Sequence, residues 1–316
     1  MSPRTVHVGV DLAWGLASGR TGVAALDESG AYLASATVRT DDEIVEWTRG
    51  QVGEAKLGVV AIDAPIVVPN EVGRRDCEQE IHRHFGRFDA GAHSTNRSKP
   101  TMNPPRAETL VERIGLGFDP ASNSRTDVAI EVYPHPAMVG LWGLDLILKY
   151  KHKTKYEFDF RRTEFLILLS RLAAIESLAL QGAPRWTEIV RVVDGATTHG
   201  ELNRVEDEVD GIVCAYLAWL WAERDERLTV YGDVERGYIV APLPPSHAAR
   251  GRAARVTPRR QVRFEEAGEP GPRAVQAAPA FSLDGPTDLW ELTPDEAHLL
   301  ERTLTERRSS MIGVRA

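Results

Sequence analysis

The sequence predicts an α/β domain that opens with an antiparallel run of strands and continues as alternating strands and helices. Two observations carry this: three segments with strand periodicity follow one another before any helical pattern, and strand-like and helical segments alternate thereafter. The first strand covers residues 6–11, with Val6, Val8 and Val10 on one face and His7, Gly9 and Asp11 on the other. Residues 22–26 and 32–38 read as two strands of a hairpin, because Asp27-Glu28-Ser29-Gly30 between them is turn-forming. Thr40-Asp41-Asp42-Glu43 is the acidic start of a helix that reaches about Gly50. Residues 57–62 are an unbroken apolar run, typical of a strand buried on both faces, and Asp63 follows. Further along, the spacing predicts a strand over 128–132, a long helix over 161–180, a strand over 189–193 and a helix over 205–224.

Composition bounds the function classes. A chain of 316 residues that is 42% hydrophobic can bury a core, which excludes a disordered protein. No apolar run approaches the ~20 residues of a membrane-spanning helix, and Met1-Ser2-Pro3-Arg4-Thr5 leads into the first strand without the apolar stretch of a secretory signal. A cytoplasmic protein without a membrane role is expected. Two cysteines, Cys77 and Cys214, lack CxxC spacing, which argues against a disulfide framework, structural zinc and thiol redox chemistry. The net charge of −8 argues against a general nucleic-acid coat but leaves room for a local groove. Charge is unevenly placed: over residues 246–273 seven arginines face three glutamates in a Pro-, Gly- and Ala-rich context. The expected organisation is therefore a domain over 1–245, with a long insertion at 71–127, and a basic linker over 246–316. That linker carries a terminal helix at about 294–308, started by Thr293-Pro294-Asp295-Glu296.

The chemistry lies in four acids at element ends: Asp11, Asp63, Asp207 and Asp210. Acids at the C-terminal ends of neighbouring strands converge on the crevice where open α/β sheets place their ligands. Asp207 and Asp210 are three apart on one helix face, and the stripe through them continues as Cys214, Leu217 and Trp221, so this face points inward. Singly, each acid reads as a turn or helix-end cap. Together, four half-buried carboxylates need a cation, because desolvation and mutual repulsion both oppose ionisation. Oxygen-only ligation suits Mg²⁺ or Mn²⁺, and two such ions ~3.5–4 Å apart form the clamp used in phosphoryl chemistry.

Gly9-Val10-Asp11, Thr21-Gly22-Val23-Ala24, Ala61-Ile62-Asp63-Ala64-Pro65, Ile130-Glu131-Val132-Tyr133-Pro134, the 207–215 helix start and Gly237-Tyr238-Ile239-Val240-Ala241-Pro242 follow in an order that resembles domain-of-unknown-function family 429, a family described as predicted RNase H-like nucleases. The resemblance spans about residues 5–242. It implies an RNase H-like mixed five-stranded sheet, its first three strands antiparallel, flanked by helices, with the active site made by acids at the ends of strands 1 and 4 and on a C-terminal helix. Carried over, Asp11 bridges two metal ions, Asp63 and Asp210 hold one each, and Asp207 completes a shell or orients a water. In the Holliday-junction resolvases of that superfamily the fourth-strand acid is usually glutamate, so Asp63 has a shorter reach. Glu131 is the next catalytic candidate, as a further ligand or as partner to a base.

A nucleic-acid partner, DNA or RNA, needs cations beside this crevice. The stretch 149–162 is basic, with Lys153 and Lys155 among interleaved aromatics that could stack bases. The 71–127 insertion offers Arg74, Arg75, Asn96 and Arg97 and is expected to roof the crevice. Residues 250–263 read as a solubilising linker or a non-specific nucleic-acid arm. Two other classes stay open. The Gly9–Gly22 hairpin resembles the first phosphate loop of actin-like ATPases and sugar kinases, although Asp63-Ala64-Pro65-Ile66 lacks the glycines of a second phosphate loop. A non-catalytic RNase H-like module that binds nucleic acid or protein is the third reading.

Overall fold

The structure is a computed structural model and describes residues 4–15 and 19–246; the 250–263 stretch and the helix expected at 294–308 lie outside the described residues. In chain order the elements are β1 (Thr5–Asp11), β2 (Thr21–Asp27), β3 (Tyr32–Val38), α1 (Asp41–Val52), β4 (Lys56–Ile62), α2 (Asp76–Phe85), α3 (Arg106–Ile114), β5 (Val128–Glu131), α4 (Pro134–Trp142), α5 (Phe158–Ala173), α6 (Pro184–Asp194), α7 (His199–Leu202), α8 (Glu206–Ala222), β6 (Leu228–Asp233) and β7 (Gly237–Pro242). The central sheet has five strands in the order β3-β2-β1-β4-β5. β1, β2 and β3 pair antiparallel, whereas β4 lies parallel to β1 and β5 parallel to β4, so the sheet is mixed, with an antiparallel start. β6 and β7 form a separate hairpin. No helix among the described residues is long and apolar enough to cross a membrane.

Local chemistry explains where the first elements begin and which way they face. At the start of α1, Thr40 Oγ1 accepts from Glu43 N–H at 3.1 Å while the Glu43 carboxylate accepts from Thr40 N–H at 3.1 Å, a reciprocal cap that satisfies two helix-end donors. The alternation of β1 sends Val6, Val8 and Val10 into a core layer with Ile44 of α1 and Leu110 and Val111 of α3. β4 is buried on both faces, Val60 and Ile62 in this layer and Val59 and Ala61 in the other. The second layer covers the opposite face with α8, α2 and the α4–α6 region.

Two elements differ from the expectation. Residues 189–193, expected as a strand, belong to helix α6, which starts with Pro184 at its first turn. Trp186, Ile189, Val190 and Val193 are buried at spacings of three, one and three, a helical stripe whose apolar half reads as a strand when taken alone. The helix expected over 161–180 is α5, which starts earlier and stops at Ala173. Ile175 is extended and Ala179 takes a left-handed conformation, so the chain turns at Glu176–Leu178.

Helix α8 lies unusually close to the sheet. A Cβ on Gly22 would stand 1.7 Å from Asp207 O, and one on Gly9 would stand 2.0 Å from Ala215 N and 2.2 Å from Gly211 O. Only hydrogen at these two positions lets the helix backbone rest on β1 and β2. Gly22→Ala therefore has to push the first turn of α8 outward, and it should lower unfolding free energy by about 3 kcal/mol in urea titrations, the upper part of the usual overpacking range.

Opposite Gly58, His7 is buried, and its Nδ1 accepts from Val59 N–H at 3.1 Å. Burial lowers the His7 pKa from 6.5 to about 4, against the pull of Asp27 and Glu28. Because the unfolded chain takes up this proton at higher pH than the folded one, the stability due to neutral His7 is complete above about pH 6.5 and is lost as pH falls towards 4. The loss amounts to roughly 3 kcal/mol. His7→Asn, which keeps an acceptor but cannot ionise, should flatten that part of the wild-type stability profile when both are unfolded by denaturant between pH 4 and 7.

Candidate active site

Parallel pairing of β1 and β4, with Val10 opposite Ile62, ends both strands at the same sheet edge. Asp11 is the last residue of β1, and Asp63 follows β4, its N–H donating to Val10 O at 2.8 Å. The first two turns of α8 bring Asp207 and Asp210 to the same edge. Asp210 is fully buried and Asp207 half-buried, and the stripe below them, Cys214 and Leu217, lies in the core. Asp11, Asp63, Asp207 and Asp210 thus form one electrostatic cluster drawn from three separate parts of the chain.

α8 has acids at four of its first five positions, and the fold gives them different partners. Glu206 pairs with buried Arg161. Glu208 accepts from Arg185 at 2.6 and 2.9 Å and from Ser35 Oγ at 2.6 Å. Asp207 and Asp210 are left facing the cluster. There, Tyr150 Oη donates to Asp210 Oδ1 at 2.5 Å, and Lys151 Nζ stands 2.6 Å from Asp210 Oδ2 and 3.8 Å from Asp11 Oδ2.

The cluster holds more carboxyl groups than it can ionise. Burial lifts the Asp11 carboxyl well above the ordinary carboxylate range; Lys151 opposes the shift, and repulsion from Asp210, Asp63 and Asp207 adds to it. Burial pushes Asp63 up to about 7, again against Lys151 and with the repulsion of Asp210. Asp207 rises to about 6 through burial and its neighbours Glu206 and Asp210. Burial alone would pull Lys151 down, but Asp11, Asp210, Tyr150 and Asp63 together hold its ammonium protonated well above the usual lysine range.

The other candidate residues are distributed differently. Glu131 and Arg75 are buried together, with Arg75 Nη1 and Nη2 donating to the two Glu131 oxygens at 2.8 and 2.5 Å. Arg75 Nε also donates to Glu78 at 2.9 Å, and Ile66 N–H donates to Glu131 at 3.0 Å. The pair therefore holds the turn that follows Asp63, and neither member is presented to the cluster as a free ligand or a free cation. Asn96 Nδ2 donates to Gly73 O at 2.8 Å and Arg97 Nε to Val68 O at 2.8 Å, so both tie together the loops of the insertion. Arg74, Lys153 and Lys155 are exposed. The insertion reaches the crevice from the Asp63 side, where Ala92, His93 and Thr95 line a small pocket with Trp14, Asp63 and Tyr133. Its helices divide between the two faces of the sheet: α2 lies in the α8 layer and α3 in the opposite one.

Tyr150, Lys151 and His135 complete the surroundings. Tyr150 looked like a stacking aromatic in a basic loop, yet it is fully buried beneath Asp210. His135 packs edge-on against Tyr150, with ring centroids 5.7 Å apart. Burial and then the positive charge of Lys151 keep this imidazole neutral, well below the ordinary histidine range. In the sequence these residues are marked only by the short spacing of Tyr150 and Lys151; which carboxylates they meet depends on chain segments sixty residues away from Tyr150.

Opposite stability effects should separate the supporting acid from the clustered one. Glu131→Ala removes the two-point partner of buried Arg75, leaving it Glu78 alone, and should cost about 3 kcal/mol. Asp63→Asn relieves repulsion: a carboxyl whose pKa is raised by folding destabilises the folded state as it ionises, so the variant should gain on wild type as pH rises from about 4 through 7, reaching about 1 kcal/mol or more at pH 8. Chemical denaturation of both variants with a chelator present measures this.

A family described as "Protein of unknown function (DUF429)" matches residues 9–236. No curated protein and no solved structure matches the chain.

Proposed function

The chain belongs to the DUF429 family, and from that premise we propose that it is a metal-dependent nuclease whose aspartate cluster hydrolyses phosphodiester bonds. The observation that carries the reading is the meeting of Asp11, Asp63, Asp207 and Asp210 at one strand-end edge, where burial and repulsion raise the carboxyls of Asp11, Asp63 and Asp207. Clustered carboxyls of perturbed pKa in a crevice are a usual mark of a functional site.

The donor set fits a hard divalent cation. Every candidate ligand atom is a carboxylate oxygen, and the fully buried Asp210 Oδ2 receives no directed hydrogen bond although the Lys151 ammonium is close. Among the described residues, no three of these side chains stand in ligating geometry, and the Lys151 ammonium contacts both Asp11 and Asp210. Asp11, which has both Asp63 and Asp210 as charged neighbours, would hold the cations together with those two carboxylates. Bound there, Mg²⁺ or Mn²⁺ supplies Lewis-acid stabilisation of the phosphoryl charge and a water acidic enough to attack at neutral pH. Asp207, half-buried on the same helix as Asp210, would orient an attacking water. Tyr150 fixes the Asp210 carboxylate by its hydrogen bond, and the Glu131–Arg75 pair keeps the Asp63 turn in position.

The partner implied is a nucleic acid, DNA or RNA. The exposed Lys153 and Lys155 lie close in sequence to Lys151, and Arg74 is exposed on the insertion, so these cations are available for phosphates along the strand. The phosphate-loop reading rests on the Gly9–Gly22 hairpin, of which residues 16–18 lie outside the described residues.

Incubating the protein with single-stranded, duplex, hybrid and branched nucleic acids in Mg²⁺, Mn²⁺ or chelator tests the proposal. Cleavage should require the metal and should fall by more than about a hundredfold in Asp11→Asn. A folded protein that neither binds Mn²⁺ nor cuts any member of the panel refutes it.

A further inference from the structure

Lys151 stands where the cluster needs positive charge, on a backbone that is fixed and a side chain that is not. Fully buried Arg161 donates through Nε to Tyr150 O at 2.5 Å, and Lys149 N–H donates to Glu164 Oε2 at 2.6 Å. Arg161 is in turn held by Asn203 Oδ1 at 2.7 Å and by Glu206. The Lys151 side chain retains 31% exposure, against none for Asp210. Its contact with Asp210 Oδ2 is a close ion pair made by a compact charge on a flexible four-carbon stem.

Charge counting then separates two occupants of one position. The single charge of the Lys151 ammonium stands against two carboxylates, Asp11 and Asp210. A divalent ion at the same carboxylate oxygens supplies twice the charge and accepts lone pairs that an ammonium meets only with N–H groups. The two cannot share the space between Asp11 Oδ2 and Asp210 Oδ2, of which the first lies 3.8 Å and the second 2.6 Å from Lys151 Nζ.

We propose that Lys151 is an exchangeable internal counter-ion: its ammonium holds the Asp11–Asp210 position in the metal-free protein and swings into the crevice when a divalent cation takes that position. The inference rests on the metal-dependent reading of the cluster and adds to it a competitor built into the chain. Metal binding is then an exchange of cations, and apparent affinity is set by the difference between two occupants.

Mn²⁺ titration by calorimetry of the full chain, wild type against Lys151→Met, tests this. Removing the competitor should tighten Mn²⁺ binding by about tenfold, and the variant should melt below wild type in chelator but recover when Mn²⁺ is added. A lysine with a purely structural role predicts the opposite sign, since lost packing weakens a metal site. A second readout needs no variant: acetylation of Lys151 by an amine-reactive reagent, followed by mass spectrometry, should rise severalfold in wild type when Mn²⁺ replaces chelator. Equal or weaker Mn²⁺ binding by the variant, or labelling of Lys151 that Mn²⁺ leaves unchanged, overturns the exchange while leaving the metal site standing. Absence of Mn²⁺ binding by both proteins overturns the metal reading and the exchange with it.

Discussion

The approach of helix α8 to strands β1 and β2 is the constraint on which the rest of the structure depends. Interior packing leaves no slack of the order of a methyl group, and here the helix backbone occupies the space that Cβ atoms would take at Gly9 and Gly22. The distance between α8 and the sheet in turn decides how near Asp207 and Asp210 come to Asp11. The same glycines that allow the packing therefore produce the crowding of carboxyls. Fold and site are coupled through two backbone contacts.

Crowding of this kind is costly, and the surrounding structure shows how the cost is confined. Each acid of α8 that is not aimed at the cluster has an arginine: Glu206 has Arg161 and Glu208 has Arg185. Glu131, at the end of β5, has Arg75. Among the described residues, the aspartates of the cluster meet Lys151, the Tyr150 hydroxyl and, at Asp207, the charge of Arg20.

Several features were legible in the residues because they depend on local order. The alternation of β1 fixes which of its side chains share a face, and the acidic start of α1 is a cap that needs only its own four residues. Spacing puts Asp207, Asp210, Cys214 and Leu217 on one face of α8, but the helix is buried almost all round and Trp221, the last residue of that stripe, is only half-buried. The error at 189–193 has the same origin in reverse. Five apolar-rich residues are compatible with either period, and the residue that decides, Trp186, lies outside the window.

The partnerships of the site were not legible in this way. Arg75 and Asn96 looked like cations and polar groups for a ligand, and Lys153 and Lys155 looked no different from Lys151. The chain by itself determined most of the elements, the antiparallel start and the four aspartates at element ends, because period, capping and turn chemistry act over a few residues; the mixed five-stranded sheet was what the family resemblance implied. Tertiary structure alone decided that Arg75 closes on Glu131 fifty-six residues away, that Tyr150 sinks beneath Asp210 and that Lys151 enters the cluster. Charge pairing acts through space over a few ångströms, and only the folded chain sets which groups stand at that range.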